Sequence, residues 1–488
     1  MKIESCFLKL IRVFFNSGYL ITIFIGLFLN TSLFPQLPTA QQIASQMKVG
    51  WNLGNTLEAI CGENAWGNPN TSQKLIDSVK AAGYDAVRLP CAWDCHTTNG
   101  VINASWIARV KEVIDYCIND SMYVILNIHW DGGWLENNVS VAMQDTVNAK
   151  QEAYWTQIAD YFKDYDEHLL FASANEPNVE NAAQMTVLLS YHQTFIDAVR
   201  ATGGNNSFRV LVIQGPSTDI DKTNQLMSSL PADQIEDRLI VEIHYYTPWN
   251  FCGLTSDADW GKMFYFWGQD YHSATNPDRN ATWGEEAAAE SYFQLMKTKF
   301  VDQGIPVILG EYSVVKRTSL TGTDLDLHLA SREHYYKYVT DAAIRHGLVP
   351  IYWDNGYNGN NGVALFNRNN GAIVDQGALD ALIEGAETGT SVEEQQAPQK
   401  NAVDQFITAL PNPVSASTEI QLTLEKAAHV NISVVNILGQ EVAYFNNLNF
   451  SRGVNSVTWN AYNLPTGAYF IRVNNGAHVL TRKVLVVH

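Results

Sequence analysis

The chain has 488 residues, 46% apolar and 17% charged, a balance that fits globular domains and excludes both wholesale disorder and a polytopic membrane protein. Its 50 acidic against 31 basic residues leave a formal charge of −19, so phosphate backbones and polyanions such as pectate would repel it, and nucleic acid is not an expected partner. Six cysteines are too few for a disulfide scaffold, whereas 13 Trp, 22 Tyr and 20 Phe call for an explanation beyond core packing.

Residues 1–39 read as a signal peptide region. Lys2, Lys9 and Arg12 form a basic start, residues 19–29 are an apolar stretch, and small residues follow. An uncleaved anchor is the alternative, although Asn16, Ser17 and Gly18 interrupt the span it needs. Export removes Cys6 and leaves an odd number of cysteines; Cys91 and Cys95 are close enough in sequence to pair within a loop. With no CxxC and no HExxH, a structural zinc site is not expected.

From residue 49 to about 386 strand and helix patterns alternate. Short runs rich in Val, Ile and Leu over 49–52, 86–90, 123–129, 169–174, 209–214, 239–244, 306–311 and 349–353 suit strands buried on both faces. Helical patterns over 72–82, 104–119, 148–163, 181–201, 284–303, 327–346 and 377–385 separate most of them; between the fifth and sixth strands the pattern is unclear. Eight such units predict an α/β fold, a (β/α)8 TIM barrel over 40–386. A doubly wound sheet is the alternative, but it calls for GxGxxG after the first strand, where Gly50 and Gly54 bracket Trp51-Asn52-Leu53 instead. Residues 387–404 lack periodicity and read as a linker. In 405–488 basic residues outnumber acidic ones, and alternating runs over 420–424, 430–435, 456–459, 468–473 and 479–487 predict a small all-β sandwich.

A barrel places its chemistry at the carboxyl ends of its strands. Those ends carry Trp51-Asn52, Arg88, His129-Trp130-Asp131, Asn175-Glu176, Gln214, His244-Tyr245-Tyr246, Glu311-Tyr312 and Trp353-Asp354-Asn355, together a polar, aromatic-lined cleft. Glu176 and Glu311 end the fourth and seventh strands. Two carboxylates facing across a cleft are the equipment of glycoside hydrolysis, one protonated to assist the leaving oxygen and one ionised to attack or to activate water. Asn175 beside Glu176 suits a sugar hydroxyl, and Pro177 keeps Glu176 out of helix. Arg88 is a strand-end cation able to keep Glu311 ionised or simply to form a structural ion pair. His129, His244 and Asp131 invite a metal reading, but no third His is in register, and hydrogen bonding to sugar or carboxylate is more economical. Trp353 suits a sugar-stacking platform, and its link to Asp354 is a candidate for a strained peptide. The long segment after His244 holds Trp249, Phe251, Trp260, Phe264, Phe266, Trp267 and Trp283; most are expected to pack the loop and some to meet sugar.

These residues resemble glycoside hydrolase family 5, particularly its subfamily 4 of endo-β-1,4-glucanases. The marks are GWNLGNTLEA (50–59), VRLP (87–90), NIHWD (127–131), NEP (175–177), VRATGGNN (199–206), HYYTPWNF (244–251), GIPVILGEYS (304–313) and YWDNG (352–356), in order across most of 40–386. The resemblance implies a retaining enzyme with Glu176 as general acid/base and Glu311 as nucleophile, supported by Arg88, His129, Asn175, His244, Tyr246 and Trp353, with Tyr246 bonded to the nucleophile. It implies no cofactor and no metal, and a β-glucan polysaccharide as substrate, with xyloglucan, mixed-linkage glucan, xylan and mannan as alternatives; a surface glycan-binding protein on an inactive barrel is the reading from another class. Trp130, where the family often has a second His, and Asn178, after NEP, depart from the pattern and bear on substrate preference. The tail resembles the sorting domain of the type IX secretion system through LPNPVSAST (410–418), VNILGQEV (435–442), NLPTGAYFIRV (463–473) and TRKVLVV (481–487). It implies a Gram-negative source, Sec export to the periplasm, passage through the outer membrane by the type IX machinery, and a secreted or cell-surface product acting as a monomer. A carbohydrate-binding module is the competing reading of the tail, through Trp459, Tyr462 and Tyr469.

Overall fold

The computed structural model describes residues 38–396 and most of 407–487. All but the last two residues of the expected signal region lie outside the described residues, and among the described ones no helix is long and apolar enough to cross a membrane.

Eight parallel strands close a barrel in sequential order: β1 (Gly50–Leu53), β2 (Ala86–Cys91), β3 (Tyr123–Ile128), β4 (Leu169–Ala172), β5 (Leu211–Gln214), β6 (Leu239–His244), β7 (Val307–Glu311) and β8 (Leu348–Asp354), with β8 pairing back onto β1. They lie on the eight apolar runs. Successive side chains point to opposite faces, and both faces are apolar over most of each strand. In β2, Val87, Leu89 and Cys91 join the layer under the helices while Ala86 faces the interior. In β3, Val124, Leu126 and Ile128 face the helices while Tyr123 and Ile125 face the interior.

A short helix, α1 (Ala40–Ala44), precedes the barrel, capped by the reciprocal Thr39 and Gln42 bonds. Its Ala40 and Ile43, with Met47, pack among interior residues Ile125, Leu170, Val212, Ile240, Ile308 and Ile351, so one end of the barrel is filled with hydrocarbon. The crossover helices are α2 (Gln73–Ala81), α3 (Ala104–Asn119), α4 (Gln144–Phe162), α5 (Ala182–Ala201), α6 (Ile220–Leu226), α7 (Glu286–Lys299), α8 (Gly322–Arg345) and α9 (Gln376–Gln396). The unclear segment between the fifth and sixth strands is α6, a helix of two turns whose N-terminus is capped by the Asp219 side chain.

The expected linker needs correction, because α9 runs on through its first ten residues to Gln396. The reason is packing on α8. A Cβ on Gly385 would sit 2.5 Å from the Lys337 carbonyl, and one on Gly389 2.9 Å from Ile344 Cβ. These two glycines, four residues apart, let the helices approach closely, and Gly389 carries that contact into the expected linker.

In the tail, a three-stranded sheet orders β9 (Ile407–Leu410), β10 (Ser417–Leu424) and β13 (Gly453–Asn460). A four-stranded sheet orders β12 (Glu441–Phe450), β11 (Ala428–Asn436), β14 (Gly467–Asn474) and β15 (Val479–Val486). Ile420, Leu422, Val430, Ile432, Val434, Ile471, Val473, Val484 and Val486 form one apolar cluster between them. Trp459 and Tyr469 are buried in it with ring centroids 5.9 Å apart, and only Tyr462 of the three aromatics considered for glycan binding is exposed.

Candidate active site

The carboxyl ends of the strands gather charged side chains inside the barrel. Arg88, third residue of β2, is fully buried. Its Nε lies 2.7 Å from Glu242 Oε1 and its Nη1 2.8 Å from Glu311 Oε1; Nη1 also donates to Asn52 Oδ1 (3.0 Å) and Nη2 to Asn175 Oδ1 (2.8 Å). Burial works against the guanidinium charge, but Glu242 and Glu311 more than offset it and its pKa is raised. The alternatives for Arg88 are therefore not exclusive: it is a structural ion pair and a partner of Glu311 at once.

Glu242 is absent from the sequence reading, which looked only at strand ends. It lies two residues before His244, so it shares the inward face of β6, and its signal is a charge in the middle of LIVEIH. Gln214 Nε2 donates to its Oε2 at 2.6 Å. In β7, two residues beyond Ile308, the register partner of Glu242, stands Gly310, where a Cβ would overlap the Glu242 carboxylate. Glycine is needed there for that approach.

His244 joins the carboxylates. Nδ1 lies 2.7 Å from Glu176 Oε1 and 3.8 Å from Glu311 Oε2, and Nε2 lies 3.2 Å from Glu242 Oε1. Against the pull of burial, the Glu311 charge and the bonds to Glu176 and Glu242 raise its pKa to about 10, so both nitrogens carry protons. An oxygen of Glu176, an oxygen of Glu311 and a ring nitrogen of His244 lie within 4.8 Å of one another. Such a trio has metal-ligand composition, and each of its members is already bonded to a neighbour within the site. Tyr246 donates to Glu311 Oε2 at 2.9 Å.

Two cations thus meet three carboxylates. Burial raises Glu176, but the hydrogen bond and charge of His244, with Arg88, outweigh it and leave its pKa below the ordinary value. Burial also raises Glu311; His244 and Arg88 oppose this, the Glu176 charge adds to it, and the pKa stays above the ordinary value.

His129 stacks on Trp353 with centroids 5.6 Å apart and planes 9° from parallel, and its Nδ1 lies 3.2 Å from Asn127 Nδ2. Burial first, then Arg88 and His244, hold its pKa well below the ordinary value, so it is neutral. Asp131 is not with it: its carboxylate accepts the Asp94 N–H and Trp134 Nε1–H at 3.0 Å and shapes a loop. Trp353 is half-buried over Gly54, where a Cβ would lie 2.9 Å from its ring. The Trp353–Asp354 peptide is trans; the one cis bond among the described residues is Thr247–Pro248. Trp51, Tyr245 and Tyr312, read as cleft residues, face the helix layer instead. In the long loop Phe251, Phe264, Phe266 and Trp267 are buried and Trp249, Trp260 and Trp283 exposed. A cavity of about 210 Å³ adjoins the cluster, lined by Glu176, Tyr246, Ser217, Thr218, Asp221 and Tyr292. The disulfide joins Cys61 to Cys95, not Cys91 to Cys95, since Cys91 closes β2 on the face turned to the helices and is buried there.

Paired carboxylates with a charge-splitting histidine, on the carboxyl end of a parallel barrel, are the working parts of a glycoside hydrolase, and this chain is one. Its residues 44–359 match the family described as Cellulase (glycosyl hydrolase family 5), and the chain belongs to that family. Endoglucanase A of Paenibacillus barcinonensis is 38% identical over 378 residues, 71% of this chain and 90% of the relative. The xyloglucan-specific endo-beta-1,4-glucanase of Bacteroides ovatus is 36% identical over 366 residues, 71% of this chain and 70% of the relative. Among solved structures, a xyloglucan-specific beta-1,4-glucanase from a ruminal metagenomic library is 42% identical with a TM-score of 0.67, covering 72% of this chain and 97% of that one. A family 5 xyloglucanase from Paenibacillus pabuli is 39% identical with a TM-score of 0.65, covering 71% and 100%. Residues 408–487 match the Secretion system C-terminal sorting domain, which marks the chain for secretion through the type IX system.

Proposed function

We propose that the protein is a retaining endo-β-1,4-glucanase that cleaves internal bonds of cellulose-related β-glucans. The observation that carries this is the separation of Glu176 and Glu311: oxygens within 4.8 Å suit direct attack on the anomeric carbon, whereas inversion needs carboxyls roughly 6.5–9.5 Å apart to admit water. In the first step a Glu311 oxygen attacks the anomeric carbon, the bond to the leaving oxygen breaks, and that oxygen takes the Glu176 proton. In the second, Glu176 takes a proton from water as the water oxygen displaces Glu311. Arg88 and Tyr246 hold Glu311 in line, Asn175 meets a sugar hydroxyl, and Trp353, backed by His129, carries the ring being cleaved.

The acid step needs a proton on Glu176, whose pKa His244 and Arg88 hold below the ordinary value, so glycan binding must loosen that pairing. The leaving oxygen takes the place of His244 at Glu176, and His244 then turns its charge to Glu311, already 3.8 Å away. Xyloglucan is the second reading, favoured by the xyloglucan-specific relatives at 42% and 36% identity. We read the chain as a Gram-negative bacterial enzyme carried through the periplasm, with residues 405–488 as the sorting domain and a monomeric barrel as the working unit. Reducing-sugar release from barley β-glucan, carboxymethylcellulose, xyloglucan, xylan and mannan, with Glu311→Ala as control, tests the reaction and ranks the substrates. NMR of the first-formed anomer tests retention; an inverted product would sink it.

A further inference from the structure

Glu136 takes no part in the chemistry above. It stands in the loop between β3 and α4, in Trp134-Leu135-Glu136-Asn137-Asn138, and is only 4% exposed. A carboxyl so buried needs partners. Its partners belong to the segment carrying Glu176. Oε1 accepts the backbone N–H of Glu176 at 2.6 Å, the carboxylate bonds the Asn175 side chain, and the Glu136 carbonyl accepts the Asn178 N–H at 3.0 Å. Since Asn175 Oδ1 already faces Arg88, its amide nitrogen is the group that faces Glu136. One residue therefore grips the Asn-Glu-Pro turn at three points.

We propose that Glu136 is a positioning residue for the acid/base, fixing Asn175 and the Glu176 backbone so that the Glu176 carboxyl stays aimed at the leaving oxygen once glycan has displaced His244. This rests on the reading of Glu176 as the acid/base. The charged groups facing it from the cleft are the carboxylates of Glu176 and Glu311, with the cations His244 and Arg88 beyond them. Burial first, then the repulsion of Glu176 and Glu311, push Glu136 up to about 7 against the bonds it accepts.

Glu136→Gln keeps an oxygen for the Glu176 N–H but presents no charge and cannot also accept from Asn175. On barley β-glucan its kcat falls on the order of tenfold or more, with KM within about twofold. On a dinitrophenyl β-cellobioside, whose leaving group needs no proton, kcat/KM stays within about threefold of wild type. Equal losses on the two substrates, or no loss on the glucan, overturn the proposal. If Glu136→Gln does not fold by thermal melting, Glu136→Asp, which withdraws the carboxylate by one methylene, carries the same test with the same expected split. Glu176→Ala separates the underlying reading: it is expected to lose the glucan, keep the aryl substrate and regain turnover with azide. Failure of that control removes the acid/base reading itself, whatever Glu136→Gln does.

Discussion

The two ends of the barrel are built from the same eight strands and do opposite things. At the amino ends, Ile43 and Met47 meet Ile125, Leu170, Val212, Ile240, Ile308 and Ile351 in one apolar cluster. Two or four residues further along the same strands stand Asn52, Arg88, Asn127, Glu242 and His244, every one buried and polar. Hydrocarbon can be packed by shape alone, whereas buried charge has to be matched partner by partner. The apolar end can therefore set stability while the charged end sets proton positions, and the two tasks share a backbone without sharing side chains.

The largest expected effect sharpens this contrast. Glu311→Ala should lower kcat by about 10⁴-fold or more while the thermal midpoint holds or rises, because one of three crowded carboxylates is gone. Arg88→Ala should break the contrast. It leaves buried Glu242 with His244 as its one remaining cation, at a cost of about 3–5 kcal/mol in urea denaturation, so the functional end also proves structural. Ile125→Ala should cost roughly 2–4 kcal/mol in the same assay and leave kcat/KM on β-glucan unchanged.

The smallest effect concerns pH. Burial, before any other cause, pushes Glu58 and Glu136 up to about 7. A carboxyl whose folded pKa is raised holds more protons when folded; its contribution is complete below its unfolded value of 4.5 and is lost as pH rises through 7. His244, raised to about 10, adds a loss between 6.5 and 10. Glu242 and Glu176, both lowered, contribute stability that disappears as pH falls below 4.5. The melting midpoint should peak near pH 5 and fall by several degrees by pH 8, and Glu58→Gln should flatten the fall. All of these groups lie toward the charged end, so Ile125→Ala should shift the curve down without changing its shape.

Most of the barrel was legible because parallel strands covered on both faces leave short apolar runs that few other arrangements produce. Glu176 and Glu311 were legible because polar residues stand where those runs stop. Glu242 was hidden by the same logic: it sits inside a run, and its inward direction follows from period two only once the strand is known to face the barrel axis. Strand β12 went unseen because it is half-exposed along its length and shows no clean alternation. The Cys61–Cys95 bridge was missed because proximity in sequence favoured Cys91, whose side chain points to the other face.

By itself the sequence determined the α/β barrel, the β-rich tail and the family, since period, composition and local motifs all survive in one dimension. Only the tertiary structure decided that Arg88 is shared between Glu242 and Glu311, that His244 bridges three carboxylates, that Gly385 and Gly389 let two helices approach closely, and that Glu136 reaches the Asn-Glu-Pro turn. Each of these depends on burial and on distances between residues far apart in the chain, and charge in a protein interior takes its meaning from those two quantities.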